Sequence, residues 1–406
     1  MMSSKKIIAL IIIILLAIFI SSCKEQGELE DIGIVIATAL DYEDEEIVLT
    51  VEVIIPLDRV EASAESSSMI LQERGDSVME AIRNVTLNFD RKLFFSHNLI
   101  IIFGEDLARN GIVNYLDFFT RDSEPRESAY MLVAKEAKAY EIIGINSSLS
   151  GSGGEYLEDV IDNSLYTLKS RGLSVNKFFK YYYDRKTPLL SIVEIREVPD
   201  IDPISGQIGR RNILDVRGGA PFYLDKLVGY YSPEEMIGFN FLIDEVQEGI
   251  IVFEVPMKFA KKSNIISQIG ENTTFEIVKG NTKNSIEIVE GKINLNIDVD
   301  VKGMVIEDNR GLDITNLVVE GGVEEACAEE IKEYITMTME KAQELKTDSF
   351  GVNHLFYMKY PEEYRKIEDT WREEFSKIDY SIDVNVDIIR TGLTNTPTNT
   401  KRGEDY

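Results

Sequence analysis

From residue 292 to residue 302 the chain alternates without a break. Ile293, Leu295, Ile297, Val299 and Val301 are apolar, while Lys292, Asn294, Asn296, Asp298, Asp300 and Lys302 are polar. Successive side chains of a strand point to opposite faces, so this stretch belongs in a sheet with one buried and one wet face. The same period returns near the end, where Ile382, Val384, Val386 and Ile388 alternate with Asp383, Asn385 and Asp387. A one-sided sheet needs a cover, and residues 324–346 offer one. Ile331, Ile335, Met339, Ala342 and Leu345 recur there at helical spacing, with Lys332, Lys341 and Lys346 on the wet side. The run Asp298-Val299-Asp300-Val301-Lys302-Gly303 superficially suggests a calcium loop. Asn309 stands where such a loop needs a bidentate Glu, so the strand reading is preferred.

The first half mixes periods. Residues 32–40 and 47–55 read as two strands around an acidic turn at 41–46, and Pro56 ends the second. The polar stretch 61–75 reads as a loop into the capping box Ser77-Val78-Met79-Glu80, which starts a helix carrying Val78, Ala81, Ile82, Val85 and Phe89 on one side. Residues 99–103 and 129–134 read as buried strands, with helical pieces through residue 120 between them, and residues 156–183 read as helical. The Ser/Gly-rich stretch 146–154 reads as a flexible loop. Pro199 and Pro203 make residues 197–209 the best boundary. Beyond it, residues 220–229 read as a hairpin, Ser232-Pro233-Glu234-Glu235 as a helix start, and residues 249–255 as a strand. The fold class expected is α+β, with mixed sheets covered by helices in about three subdomains.

The amino terminus stands apart. Lys5 and Lys6 precede an unbroken apolar run at residues 7–20, followed by Ile20-Ser21-Ser22-Cys23 and then Lys24 and Glu25. Such a run covers about 21 Å as a helix, short of the roughly 30 Å hydrocarbon core, which favours an export signal over a stable span. Residues 20–23 resemble a bacterial lipobox, in which the cysteine is diacylated before cleavage. An ordinary secretory signal with an incidental cysteine, or a short uncleaved anchor, are the alternatives. Acylation at Cys23 supplies two chains at about 0.8 kcal/mol per buried methylene, enough for stable membrane attachment. The formal charge is -28, and loss of residues 1–22 with their two lysines makes the rest more acidic still. That charge repels phosphate backbones and anionic lipid alike, so no nucleic acid partner is expected and the lipid does the anchoring.

Little points to catalysis. Cys23 and Cys327 are the only thiols, and His97 and His354 the only imidazoles, so neither a disulfide scaffold nor a Cys/His zinc site can be assembled within one chain. Ser174-Val175-Asn176-Lys177 matches the Ser-x-x-Lys pattern of penicillin-recognising enzymes, but Lys186-Thr187-Pro188 lacks the glycine of the partner motif. A solvated helix end is the better reading. His97 and His354 are expected to be packed or hydrogen-bonded structural residues, since no nucleophile or metal constellation accompanies either. Phe178-Phe179 and Tyr181-Tyr182-Tyr183 form either a core-packing helix face or a stacking platform, the first being preferred. No pair among the 71 acids stands out for acid–base work. No catalytic residue, metal or cofactor is assigned, and any ligand-binding residues are unknown.

Several local strings, in order behind the lipobox, resemble the Ger(x)C family, the lipoprotein C subunits of nutrient germinant receptors in endospore-forming bacteria. They are Glu28-Leu29-Glu30-Asp31-Ile32, Ala39-Leu40-Asp41, Ala81-Ile82-Arg83-Asn84, and Arg91-Lys92-Leu93-Phe94-Phe95-Ser96-His97-Asn98, in which Ser96 replaces a usual glycine. Leu116-Asp117-Phe118-Phe119-Thr120-Arg121-Asp122 and Lys226-Leu227-Val228-Gly229-Tyr230 follow. The closing region matches most closely, through Asp348-Ser349-Phe350-Gly351, Tyr360-Pro361, Trp371, Phe375 and residues 384–393. Lys24 departs from the family, where tryptophan often follows the cysteine. The resemblance implies a non-enzymatic, lipid-anchored subunit, assembled with two polytopic membrane subunits on the extracytoplasmic face of the spore inner membrane and required for the response to nutrients. It further implies a signal peptide at 1–22, an N-terminal germination-protein domain at 23–198, a middle subdomain at 199–260, a C-terminal α+β subdomain at 261–393 and a polar tail at 394–406. A solute-binding lipoprotein serving a transporter is the alternative, but it calls for two similar lobes, and the two halves here differ in pattern.

Overall fold

The computed structural model describes residues 31–54, 68–145, 152–184, 186–202, 206–256, 272–309, 312 and 314–389. Two mixed sheets with helices packed on them make an α+β fold of two units. The first unit is built on β1 (Ile32–Glu43), which pairs antiparallel with β2 (Glu46–Ile54). Asp44 and Glu45 join them at φ values of 51° and 69°, the left-handed backbone that a two-residue hairpin turn demands. On its other edge β1 pairs in parallel with β5 (Ile100–Gly104), followed by β6 (Tyr130–Ala134) and β7 (Leu189–Ile201). β4 (Lys92–Phe94) pairs with the start of β1. β8 (Ile208–Asp215), β9 (Gly219–Tyr223) and β10 (Lys226–Leu227) complete the sheet.

The two innermost strands, β5 and β6, carry no charged residue because both of their faces are covered. Ile101, Phe103, Met131 and Val133 meet α1 (Val78–Val85), α2 (Glu105–Asn110), α3 (Val113–Arg121) and α6 (Val175–Tyr183). Ile100, Ile102, Leu132 and Ala134 face α4 (Ala139–Ile143) and α5 (Gly153–Asn163).

Two stretches differ from the sequence expectation. Of the polar segment 61–75, residues 61–67 lie outside the described residues, and Ser68–Gly75 is strand β3, antiparallel to β2 at the sheet edge. Its polar residues bond sideways instead of marking a loop: Gln72 Nε2 donates to Thr50 Oγ1 at 2.9 Å and Arg74 to Glu43 at 2.9 Å. Edge strands are commonly this polar, which keeps them from pairing with other chains. Of the Ser/Gly-rich stretch, residues 146–151 lie outside the described residues, whereas Ser152 caps α5 and Gly153 and Gly154 form its first turn.

The second unit is a four-stranded sheet, β11 (Gly249–Glu254), β12 (Asn272–Val289), β13 (Lys292–Asp308) and β14 (Asp379–Ile388), in that order. β13 holds the eleven-residue alternation, with Leu295, Ile297, Val299 and Val301 buried; Asp298 to Gly303 is strand throughout. β14 lies parallel to β13, Val299 opposite Val384. The cover is α8 (Leu317–Leu345), which buries Ile331, Ile335, Met339 and Ala342. α7 (Pro233–Leu242) starts at the capping box of Ser232 and Glu235 and is buried from Met236 to Leu242. α7 lies so close to α8 that a Cβ on Gly238 would come within 2.2 Å of the Tyr334 carbonyl oxygen. Within the expected middle subdomain 199–260, β8 to β10 extend the first sheet, whereas α7 and β11 join the second; residues 203–205 and 257–260 lie outside the described residues. No helix among the described residues is long and apolar enough to cross a membrane.

The two units share a core contact. Residues 167–174, within a stretch expected to be helical, leave the helix so that Leu168, at a φ of 59°, enters the second unit's core and is 2% exposed. Asn240 Nδ2 on α7 donates to the Leu168 carbonyl at 2.9 Å, and Arg171 pairs with Glu245 beside it.

Candidate functional site

Buried acids are the first place to look for chemistry, and here three of them bind helix ends. Asp41 on β1 accepts from the Ala139 and Tyr140 amides at 3.0 and 3.1 Å, at the start of α4. A Cβ on Gly104 would come within 2.1 Å of the Asp41 carboxylate, so glycine is the residue that leaves it room. Glu52 on β2 accepts from the Gly153 and Gly154 amides at 2.9 Å each, at the start of α5. Asp348 accepts from Gly351, Val352 and Asn353, at 3.0, 2.9 and 2.6 Å, and from Trp371 Nε1 at 3.1 Å. The three amides begin α9 (Val352–Lys359). A carboxylate at a helix N-terminus satisfies orphan amides and meets the positive end of the helix dipole. Burial nonetheless holds the Asp41 and Asp348 carboxyls above their usual range, against the pull of those amides.

The candidates named from sequence disperse. Cys23 lies outside the described residues. Cys327 is buried in α8, where burial pushes its thiol up and leaves it inert. Ser174 precedes α6 and its hydroxyl bonds Asn176 Oδ1 at 2.6 Å, while Lys177 is exposed. Both histidines are exposed, against the expectation of packed or hydrogen-bonded residues; His97 sits in a loop 6.4 Å from the Phe94 ring, and His354 on the outer side of α9. The aromatic string on α6 divides: Phe178 is core, Tyr181 and Tyr182 are half-buried, and Tyr183 is 74% exposed. Among the described residues no group of acids, histidines and cysteines has the geometry to hold a metal.

The structure does bring one set of residues together, in a cleft where the end of α6 and the β9–β10 turn face the helices after α8. Those helices are α9, α10 (Pro361–Ile367) and α11 (Trp371–Phe375). The inner recess, about 210 Å³, is lined by Tyr182, Lys186, Tyr223, Lys346, Trp371 and Arg372, among others. The outer one, about 410 Å³, is lined by Tyr183, Asp184, His354, Tyr357 and Arg365. Asn353, Tyr364 and Glu368 line both.

Contacts between the units form the inner wall. The Arg372 guanidinium lies 3.9 Å from the centre of the Tyr223 ring and donates to the Leu345 and Lys346 carbonyls that end α8. The Thr187 amide donates to the Asp348 carbonyl at 3.2 Å, and the Tyr231 hydroxyl lies 3.4 Å from that of Thr347. Trp371 stacks on Phe356 at 5.9 Å. Sequence reasoning had singled out Tyr182, Tyr183, His354, Asp348 and Trp371 one at a time, and their meeting depends on how the units pack.

Comparison with known proteins places this architecture. A model described as the spore germination protein N-terminal domain matches residues 25–195, and one described as spore germination B3/GerAC like, C-terminal matches residues 217–392. The chain is 25% identical to spore germination protein KC of Bacillus subtilis (strain 168), over 97% of this chain and 98% of that one. It is 24% identical to spore germination protein B3 of the same organism, over 91% and 94%. The crystal structure of the GerBC protein superposes with a TM-score of 0.52 at 22% identity, covering 87% of this chain and 96% of that one, which shows a shared fold. With both halves matched in order, the chain belongs to the Ger(x)C family of spore germination proteins.

Proposed function

We propose that the protein is a lipid-anchored, non-catalytic subunit of a spore germinant receptor, held by acylated Cys23 to the extracytoplasmic face of the spore inner membrane. Its partners in this reading are the two polytopic subunits of the receptor, and its task is to couple them in the response to nutrients. The observation that carries it is the pair of consecutive germination-family matches, 25–195 and 217–392, behind Ile20-Ser21-Ser22-Cys23. The welded units favour a scaffold: Leu168 of the first is buried in the core of the second. The buried carboxylates favour it too, since Asp41, Glu52 and Asp348 already bind backbone amides. Tagged chain purified from dormant spores should bring polytopic membrane proteins with it, and Cys23→Ala should lose its acyl chains and wash off membranes. Recovery of the tagged chain alone, or full retention of the alanine variant, would count against the reading.

A further inference from the structure

We propose that the cleft between the two units is a binding site for an uncharged saccharide ring. The first reason is the rings it exposes. Tyr183 is 74% exposed and Tyr357 45%, although both line the outer recess. Tyr183 is backed by Phe179, stacked 6.0 Å away, and Tyr357 by Tyr364 at 5.6 Å. Rings held from behind and open in front offer flat apolar area at little entropic cost. A pyranose presents a matching C–H face.

Charge supplies the second reason. The whole chain carries 71 acids against 43 Lys and Arg, yet four cations, Lys186, Lys346, Arg365 and Arg372, line the cleft against three acids, Asp184, Glu368 and Asp369, once Asp348, whose carboxylate is taken up by backbone amides and Trp371, is set aside. So close a balance selects neither an anion nor a cation. It does place donors and acceptors side by side, which suits hydroxyls, since each hydroxyl both donates and accepts. Lys186, Arg365, Asp184 and Asp369 enter no ion pair among the described residues, although they line adjoining recesses. Lys186 lies over the Tyr181 ring, and the heads of Arg365, Asp184 and Asp369 are open to water or to a ligand.

Size is the third. The outer recess, about 410 Å³, falls within the roughly 300–1,000 Å³ usual for small-molecule sites, and the inner one of about 210 Å³ adjoins it across Asn353, Tyr364 and Glu368. A one- to three-ring saccharide fits that range.

The proposal does not rest on the receptor reading, which co-purification tests separately. The full chain, in a detergent without a sugar headgroup, is titrated with glucose and with N-acetylglucosamine trimer. Calorimetry and the emission of Trp371, the single tryptophan, which lines the inner recess, provide the readouts. Saturable binding of at least one saccharide is expected, with a Kd of about 0.1–1 mM. Tyr183→Ala and Arg365→Ala, both at exposed positions, should each weaken it about tenfold without moving the melting temperature. No saturable signal with either sugar up to about 20 mM would overturn the proposal. So would equal affinity in both variants, or binding of alanine or adenosine in place of the sugars.

Discussion

Replacing Asp348 with Asn tests the joint on which the second unit's helices and the inner recess both depend. The carboxylate of Asp348 receives four donors, three backbone amides and Trp371 Nε1, two on each oxygen. Asparagine keeps one oxygen and turns an NH2 group toward the donors of the other, so two buried donors lose their acceptor. Each such loss costs about 1–3 kcal/mol, and relief of the buried charge offsets part of it, which leaves about 2–4 kcal/mol net. For a unit of this size that lowers the melting temperature by about 4–16 °C. Because Trp371 is the only tryptophan and its indole N–H is one of the four donors, its emission should change in the folded variant, before any unfolding. Urea titration followed by circular dichroism gives the free energy, and fluorescence reports the local change. A variant within about 0.5 kcal/mol of the parent, with unaltered Trp371 emission, would refute the reasoning.

Asp348 also carries a pH signature. Its carboxyl, like that of Asp41, is raised by burial, so the native state holds the proton more tightly than the unfolded chain does. The contribution of each is complete below about pH 3.9 and is lost as pH rises through the elevated native value, so the stability gap between parent and Asp348→Asn should narrow from pH 3.5 to pH 7 in paired urea titrations. Gly238→Ala should drive α7 away from Tyr334 and Thr338, costing about 1–3 kcal/mol in the same assay. Leu168→Ala should cost about 2–4 kcal/mol and split one melting transition into two if this side chain couples the units, which calorimetry would detect. Membrane release of Cys23→Ala, followed by fractionation, tests the anchor.

How much of this was legible depends on whether local pattern and burial agree. The period-two run at 292–302 was readable because β13 keeps an unbroken register over that stretch and its apolar face lies in the second unit's core. β12, its neighbour, was not read, and the reason is geometric. A bulge between Ile277 and Lys279 shifts its register, so the buried positions are Thr273, Phe275 and Ile277 before it and Thr282 and Ile286 after it. The alternation changes phase in mid-strand, and no single period describes it. β7 was obscured by Pro199, which sits opposite Arg210 in the hairpin of β7 and β8, an outlying pairing where a missing amide is tolerated. The lining of the cleft was hidden for another reason. Its residues come from α6, the β9–β10 turn and the helices after α8, and nothing local in Tyr183 or Arg365 shows that they will line one recess.

The joint between the units explains why the cleft has a settled shape. Leu168 adopts a left-handed backbone that costs a bulky side chain about 1 kcal/mol or more, and it is retained because the side chain is sealed in the second core and its carbonyl accepts from Asn240. Arg171 and Glu245 pair beside it, while Arg372 on Tyr223 and the Thr187 amide on Asp348 hold the units at the cleft. Several anchors of different chemistry, spread along one interface, oppose hinge motion more effectively than any one of them alone. A ligand in this cleft would therefore meet walls already in place, and its binding energy would not be spent on closing them. The same joint would carry a contact made on one unit to the other, which is the mechanical property the proposed coupling role requires.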